Sequence, residues 1–486
     1  MLRALRIALA VLCFTGFNLL FLDVSGFFPQ KLAFLATMQL VPALLSGSFL
    51  VAAALAACTL LFGRIYCSTL CPLGVLQDML SRLGRKQRFR FSRNRPRLRA
   101  GALLVFLLAF LAGASLIFSI FEPYSAFGRI ATNLLAPVWQ AGNNILALAS
   151  ERAGNFAVGP TPVWQRGLAS LAIAVVTLGV ISVLAVRSGR TWCNTLCPVG
   201  ACLGFLHCFA LLRPRIDLKK CARCGLCAQS CKSSCIDAAS MVMDSSRCVT
   251  CFNCLTHCRS RAISYAPSWR RGVHTARESA GPDPARRAFI AAGLGIAAFP
   301  AVAAARNPDD RPPDLTRKKR PIRETPITPP GSSGLRIFME HCTGCQLCVS
   351  SCPNQVLSAA DRGSAMLQPA MSFERGFCRV NCTACSLVCP TGAIRPITKA
   401  QRSVIQIGRA TADRERCIVT TDKAPCTACS RACPTGAAVL VGRTDGPRWL
   451  AVDHERCIGC GACEYVCPVR PLAAIRVEGN LEHRRV

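Results

Sequence analysis

Cysteines recur along this chain at the spacing that iron-sulfur proteins use. The 486 residues include 33 cysteines, and most of them follow the pattern C-x-x-C-x-x-C-x-x-x-C. Three thiolates from one motif and a fourth from another hold a 4Fe-4S cubane, which carries one electron. A disulfide scaffold is the alternative for a cysteine-rich chain, but this repeat disfavours it. No C-x-x-C-H sequence occurs, so the chain lacks the motif for covalent haem attachment.

Two motifs follow each other closely in the first half of the chain. Their candidate cluster ligands are Cys221, Cys224, Cys227, Cys231, Cys248, Cys251, Cys254 and Cys258. Lys232 and Arg259 stand where ferredoxin motifs usually carry proline after the fourth cysteine. Cys235 is an alternative to Cys231 as the fourth ligand. The spacing predicts a two-cluster, α+β bacterial-ferredoxin-like module over residues 213–265.

Four more motifs lie near the C-terminus, and the fourth cysteine of each is followed by proline. Their candidate ligands are Cys342, Cys345, Cys348, Cys352, Cys378, Cys382, Cys385, Cys389, Cys417, Cys426, Cys429, Cys433, Cys457, Cys460, Cys463 and Cys467. Zinc is the alternative for a single C-x-x-C pair, but the repeat favours clusters. Nested and sequential sharing of the fourth ligands both fit the spacing. We expect a four-cluster ferredoxin domain over residues 335–486, and six 4Fe-4S clusters in all.

A different cysteine pattern is duplicated upstream. Residues 63–74 and 189–200 are identical at eight of twelve positions, and their cysteines are Cys67, Cys71, Cys193 and Cys197. Such an internal repeat predicts two hairpins related by a pseudo-two-fold axis, which would bring the four thiols together. Because thiolates are soft ligands, these four cysteines are candidate ligands for a further iron-sulfur cluster or a metal ion. Free thiols or a redox couple at helix ends are the alternative.

Apolar segments surround these motifs and predict an α-helical membrane unit over residues 1–212. Four spans are expected, at residues 7–22, 40–62, 101–121 and 167–186, each close to the length that a bilayer requires. The loop after the second span carries nine Lys or Arg residues from Arg82 to Arg99 and no acidic residue, which predicts a cytoplasmic position for it. The first ferredoxin module is then cytoplasmic too. The loop over 122–166 faces the other side, and part of it, such as residues 130–148, is expected to lie flat on the membrane surface. The net charge of +33 fits membrane loops better than nucleic-acid binding.

A twin-arginine pattern divides the chain. Arg286 and Arg287 precede an apolar run over residues 288–305, which predicts an internal export signal or fifth apolar segment within a connector at 266–306. A buried Ala-rich helix is the alternative, and the sequence does not decide whether the chain is cleaved near Ala303. Residues 307–334 are rich in proline and charge and predict a flexible linker. The C-terminal ferredoxin domain would then be periplasmic.

Taken together, these motifs carry a resemblance to two known families. The first 260 residues or so resemble NapH-type membrane quinol dehydrogenase subunits, through the predicted spans, the two-cluster module, and the pairs Cys67, Cys71 and Cys193, Cys197 with the prolines that follow them. From Arg286 onward the chain resembles the NapG/MauM-type periplasmic polyferredoxins. The resemblance is to a fusion of the two.

The resemblance implies a multi-pass protein of the bacterial inner membrane. It would oxidise quinol from the membrane quinone pool and pass electrons through 4Fe-4S clusters to a periplasmic reductase, of nitrate or nitrous oxide type, or to a cytochrome acceptor. The alternative is an assembly or maturation factor that supplies electrons or metal to a periplasmic metalloenzyme. No catalytic triad, phosphate loop or dinucleotide fingerprint is found, so no catalytic side chain is assigned.

Overall fold

A computed structural model describes most of the chain. The described residues are 1–23, 26–83, 89–164, 166–267, 318–361, 363, 365–442 and 448–486. The predicted twin-arginine signal and the apolar run at 288–305 lie outside these ranges.

The N-terminal part is a helical unit. Its helices are α1 (Leu2–Leu22), α2 (Phe27–Thr37), α3 (Leu40–Leu45), α4 (Phe49–Phe62), α5 (Ile65–Thr69), α6 (Pro72–Leu83), α7 (Pro96–Leu111), α8 (Ser115–Phe121), α9 (Pro123–Ile130), a π-helix (Ala131–Leu135), α10 (Ala136–Arg152), α11 (Leu168–Ser188), α12 (Thr191–Thr195) and α13 (Pro198–His207). One hydrophobic core runs through the unit and continues into residues of both ferredoxin parts.

The prediction of four spans is corrected to two candidates. Among the described residues, only α1 and α11, each of 21 residues, are long and apolar enough to cross a bilayer. The expected second span is broken near Gly47 (φ +73°) and the third at Gly113 (φ +66°). Both glycines adopt the left-handed conformation that ends a helix, so α4 and α7 reach only 14 and 16 residues.

Short antiparallel ladders frame the cysteine motifs of the first ferredoxin module, here residues 212–267. Strand β1 (Leu212–Ile216) pairs with β4 (Ile263–Pro267), and β2 (Ile236–Asp237) pairs with β3 (Val242–Met243). Helices α14 (Leu226–Gln229) and α15 (Asn253–His257) each contain the third cysteine of their motif. The chain thus enters and leaves the module on adjacent strands.

The C-terminal ferredoxin domain, described from residue 318, repeats this plan. Its elements are α16 (Leu335–His341), α17 (Leu347–Ser350), β5 (Leu357–Ala359), β6 (Pro369–Met371), α18 (Ala384–Val388), α19 (Lys399–Val404), β7 (Ile405–Ala412), α20 (Ile418–Thr421), α21 (Ala428–Ala432), β8 (Ala438–Gly442), β9 (Arg448–Val452), α22 (Ala462–Val466) and β10 (Ile475–Arg485). The antiparallel pairs are β5 with β6, β7 with β10, and β8 with β9.

Two further expectations need correction. The linker predicted over 307–334 is packed against the domain from Lys318 onward, because Arg323 pairs with the buried carboxylate of Glu464 at 2.7 Å and Ile327 is fully buried. Residues 130–148, expected to lie flat on a membrane surface, begin inside the core. Residues 123–133 are buried there, and Asn133 donates a hydrogen bond to Gln346 of the ferredoxin domain over 2.9 Å.

The two ferredoxin parts contact opposite ends of α1 and α11. At the first end, Arg3 of α1 donates to Thr256 and Ser234 donates to the carbonyl of Ser188, both contacts with the first module. At the second end, the backbone N–H of Ala169 in α11 donates to Asp361 of the C-terminal domain. A helix of 21 residues is about 30 Å long, so the two contact zones are separated by roughly that length.

Candidate iron-sulfur electron-transfer sites

The first two C-terminal motifs exchange their fourth cysteines. One apolar pocket is lined by Cys342, Cys345 and Cys348 of the first motif together with Cys389 of the second. The fourth cysteine of the first motif, Cys352, belongs with the other set: burial and the neighbouring thiols of Cys378 and Cys382 raise the pKa of Cys352 to about 11. Burial and the thiols of Cys378, Cys352 and Cys382 likewise raise the pKa of Cys385.

The last two motifs exchange ligands in the same way. An apolar pocket is lined by Cys417, Cys426, Cys429 and Cys467. A second pocket is lined by Cys433, Cys457, Cys460 and Cys463. The eight residues between Cys417 and Cys426 form α20 and a turn, which return the chain to the pocket. The pairing left open by the sequence is therefore sequential: motif one with two, and three with four.

These pockets fit 4Fe-4S clusters by their donors and by their surroundings. Four thiols converge on each pocket, and the remaining lining is predominantly apolar. Burial raises the pKa of Cys348 and of Cys463 well above the ordinary value, so these thiols are neutral in the absence of iron. Clusters bind thiolates, and their insertion therefore releases protons and stabilises the fold. When bound, each cluster supplies a one-electron carrier.

In the first module, the thiols of Cys231 and Cys235 lie side by side, so the choice between them as the fourth ligand stays a prediction. Their Sγ atoms are 3.5 Å apart. The contact between the two thiols lowers the pKa of Cys231, and contacts with Cys231 and Cys248 raise the pKa of Cys235. Burial and the thiols of Cys251, Cys248 and Cys231 raise the pKa of Cys254. Cys231 is thus grouped with the second motif, as expected for a crossed ligand.

The other predicted ligands of the first module differ in how deeply they are buried. Cys221, Cys227 and Cys258 are partly buried around the module's core, and Cys224 is exposed. Burial and the nearby thiols of Cys221 and Cys224 raise the pKa of Cys227. The ligand role of these cysteines, like that of the others, stays a prediction.

The duplicated motifs form a four-thiol group, defined as Cys67, Cys71, Cys193 and Cys197. Each of these residues is 4–5% exposed, and burial together with Cys193, Cys71 and Cys67 raises the pKa of Cys197. The sulfur of Cys193 accepts a hydrogen bond from the amide of Gln77 at 3.2 Å, and the sulfur of Cys197 accepts one from the backbone N–H of Gly200 at 3.3 Å. Within the described part of the chain, no three His, Cys, Asp or Glu side chains form a group arranged to hold a single metal ion. Ligation by these cysteines remains a prediction.

Two arginines hold the repeats together reciprocally. Arg190, in the second repeat, donates to the backbone carbonyl of Cys67. Its counterpart Arg64 donates to the carbonyl of Cys193 at 3.5 Å and lies 3.8 Å from the sulfur of Cys67. Both guanidinium groups are almost completely buried. This exchange is the pseudo-two-fold relation that the sequence repeat predicts.

A buried carboxylate that we did not single out from the sequence joins the helical unit to the first module. Asp78 in α6 lies 2.8 Å from Arg190, 3.0 Å from Lys232 and 3.3 Å from Arg6. Burial alone would raise the pKa of Asp78, but Arg190 and Lys232 hold that pKa well below its ordinary value. Lys232 is the residue that replaces the usual proline after Cys231. That departure was the sequence signal for this contact.

Comparison with known families agrees with these sites. A model described as "4Fe-4S binding domain" matches residues 44–90 and again 169–218, one copy for each repeat of the four-thiol group. A model described as "4Fe-4S dicluster domain" matches residues 341–393 and 424–470, and another of the same description matches 243–356. The dicluster model that matches 341–393 and 424–470 covers the cysteines of C-terminal motifs one and two, and most of those of motifs three and four. No solved structure matches the chain.

Curated relatives are ferredoxin-type proteins. The methylamine utilization ferredoxin-type protein MauM of Methylobacillus flagellatus is 32% identical over 34% of this chain and 72% of its own length. The ferredoxin-type protein NapF of Escherichia coli K12 is 30% identical over 30% of this chain and 84% of its own length. The methylamine utilization ferredoxin-type protein MauN of Paracoccus denitrificans is 30% identical over 40% of this chain and 55% of its own length. The chain therefore belongs to the ferredoxin-type 4Fe-4S electron-transfer proteins, the family of MauM and NapF.

Proposed function

We propose that this protein oxidises quinol at a bacterial cytoplasmic membrane and passes the electrons through its clusters to a periplasmic reductase. The observation that carries the proposal is the position of the two ferredoxin parts at opposite ends of α1 and α11. If these helices cross the bilayer, the ends lie in different aqueous compartments, the first module in the cytoplasm and the C-terminal domain in the periplasm. A chain of one-electron carriers then extends across the membrane.

The helical unit places cysteine and aromatic side chains between the two ends of α1 and α11. The four-thiol group lies near the first module, because Arg64 contacts both Cys67 and the carbonyl of Ser246. Toward the second end, the ring of Trp192 stacks on Phe121 with centroids 6.2 Å apart, and the buried Tyr124 lies between α1 and the C-terminal domain. The two ferredoxin parts are separated by about 30 Å along α1 and α11. A cluster held by the four thiols would divide electron transfer over this distance into shorter steps.

Reduction of the clusters by quinol tests the proposal. Membrane vesicles that contain the full chain with oxidised clusters are mixed with duroquinol, and the visible absorption of the clusters is followed together with the electron paramagnetic resonance signal of reduced 4Fe-4S centres. We expect bleaching and a new signal. Clusters that dithionite reduces but duroquinol leaves oxidised would refute quinol oxidation.

The same vesicles distinguish electron transfer from an assembly role. With duroquinol in excess and a periplasmic reductase added, an electron-transfer protein sustains many turnovers per chain. An assembly factor acts once per partner molecule, and turnover would stop after about one equivalent. Sustained turnover supports the proposal, and a single equivalent supports the assembly role.

A further inference from the structure

A cleft separates the helical unit from the C-terminal ferredoxin domain. Its volume is about 610 Å³, within the range of about 300–1,000 Å³ that small-molecule sites occupy. Phe21, Gln140 and Trp164 line the wall formed by the helical unit, whereas Cys352 and Cys382 line the opposite wall. The end of an apolar helix and two cysteines of one predicted cluster thus face the same space.

The cleft contains a buried cation without a hydrogen-bond acceptor for one of its nitrogens. Arg166 lines the cleft and is only 7% exposed, and its Nη1 has no hydrogen-bond partner among the residues that the structure describes. Burial lowers the pKa of Arg166 to about 10, so the side chain remains charged at neutral pH. A buried donor in this state is stabilised by a ligand that brings an acceptor oxygen.

Aromatic and amide groups complete the site. Trp164 is 9% exposed, with the guanidinium carbons of Arg166 and Arg375 at 5.8 and 4.8 Å from its ring centroid. Gln140 is 8% exposed and lines the cleft. These groups suit a flat, aromatic ligand with oxygen atoms at its edge. Phe21, at the end of α1, adds an apolar side chain to the wall of the cleft.

We propose that this interdomain cleft binds the ring of a hydroquinone. A ring oxygen accepts a hydrogen bond from Arg166, the amide of Gln140 contacts the polar edge of the ring, and the ring packs beside Trp164. The electron acceptor is the 4Fe-4S site of Cys352, Cys378, Cys382 and Cys385. This assignment rests on the proposed function and adds the place where quinol is oxidised.

The step balances with the groups already named. The two O–H bonds of the hydroquinone break, and the ring becomes a quinone. Two protons pass to water at the open side of the cleft, and two electrons pass, one at a time, to the site beside Cys352 and Cys382. The periplasmic reductase is the terminal oxidant, and it removes the first electron before the second is transferred.

Photolabelling tests the location. The full chain, with its clusters intact and embedded in lipid nanodiscs, is illuminated with a short-chain azidoquinone, and the labelled peptides are identified by mass spectrometry. We expect labels within residues 160–166 and 350–355. Arg166→Met should reduce labelling there at least tenfold while dithionite still reduces all clusters. Gln140→Leu should reduce this labelling severalfold. If Arg166→Met does not fold, the labelling of Gln140→Leu tests the proposal in its place.

The chain offers a matched control. Arg414 stacks over Trp449 at 5.2 Å, much as Arg166 does over Trp164, but does not line the cleft. Arg414→Met should label like the unmodified protein, and equal losses in both variants would overturn the assignment. Labels beside Cys67 or Cys193 instead would overturn the cleft but leave quinol oxidation standing. No label anywhere, combined with no bleaching by duroquinol, would refute both.

Discussion

Lys232 forms an ion pair with the carboxylate of Asp78, with 3.0 Å between nitrogen and oxygen, although the two residues belong to different parts of the protein. The backbone carbonyl of Lys232 also accepts from the N–H of Arg190 at 2.8 Å. Lys232 directly follows Cys231, which is the predicted crossed ligand of the second motif. The contact therefore fixes Cys231, and with it the predicted cluster site of the second motif, relative to the four-thiol group.

Removing the charge of Asp78 should release the first module. Asp78→Asn leaves Arg190, Lys232 and Arg6 buried without a counter-charge, and breaking a buried pair in this way costs about 3–5 kcal/mol. We expect faster hydrogen exchange in residues 212–267, measured by mass spectrometry. Asp237→Asn, within the same module but bonded only locally to Ala239 and Ser240, is the control. Equal exchange in the two variants would contradict the role of Asp78.

The pH dependence of this contact follows from the lowered pKa of Asp78. A carboxylate with a depressed pKa in the folded state contributes stability that is fully present above its ordinary value of about 3.9 and is lost as the pH falls toward the folded value. Exchange in residues 212–267 should therefore not change through Asp78 between about pH 5 and 8, and should rise below about pH 4. A rise near neutral pH that Asp78→Asn abolishes would contradict this.

The crossed ligand sets predict which cluster each substitution removes. Cys433→Ser should disturb the site of Cys457, Cys460 and Cys463 rather than that of its own motif, with loss of up to about four iron atoms per chain. Mössbauer and paramagnetic resonance spectra identify the missing centre. Cys467→Ser is the reciprocal variant and should remove the site of Cys417 instead. Identical spectra for the two variants would contradict the crossing.

Cys235 should tune a cluster without holding it. Its sulfur lies 3.5 Å from that of Cys231, and hydrogen bonds to the ligand sulfurs help to set cluster potentials. Cys235→Ala should retain the iron content but make the reduction potential of that centre more negative, as measured by redox titration. Cys231→Ala should lose the centre. Loss of iron in Cys235→Ala would identify Cys235 as the ligand.

A close approach at Gly128 should govern docking of the C-terminal domain. A Cβ atom there would overlap the carbonyl oxygen of Cys345, so Gly128→Ala should weaken the contact by about 1–3 kcal/mol. Gly142→Ala is the matched control, because it is also helical and a Cβ there meets nothing within 4 Å. Limited proteolysis should release the domain faster in the first variant only. Equal release would argue against this contact.

Local patterns predicted the chemistry well. Cysteine spacing indicated the ferredoxin parts, which the family comparisons support, and the repeat indicated that the cysteines of the four-thiol group lie together. Ligand sharing was not predictable, because it depends on how the pockets face each other after folding. Cys389 reaches the set of Cys342 across dozens of intervening residues, a relation that the spacing within one motif does not contain.

Helix length and buried charge were harder to predict. A hydropathy average does not detect that Gly47 and Gly113 adopt positive φ, so it joined short helices into spans. Asp78 was missed because a single carboxylate in an amphipathic helix is usually solvent-exposed, and its partners Arg6 and Lys232 are distant in sequence. The packing of Arg323 on Glu464 likewise overrides a proline-rich composition that favours a flexible linker.

The side of the membrane on which each ferredoxin part lies is the most direct test of the account. Alkaline phosphatase and green fluorescent protein are fused separately after Pro267, at the end of the first module, and after Val486. We predict fluorescence without phosphatase activity at the first site, and phosphatase activity at the second. Both fusion sites reporting the same compartment would contradict a chain of carriers that extends across the bilayer.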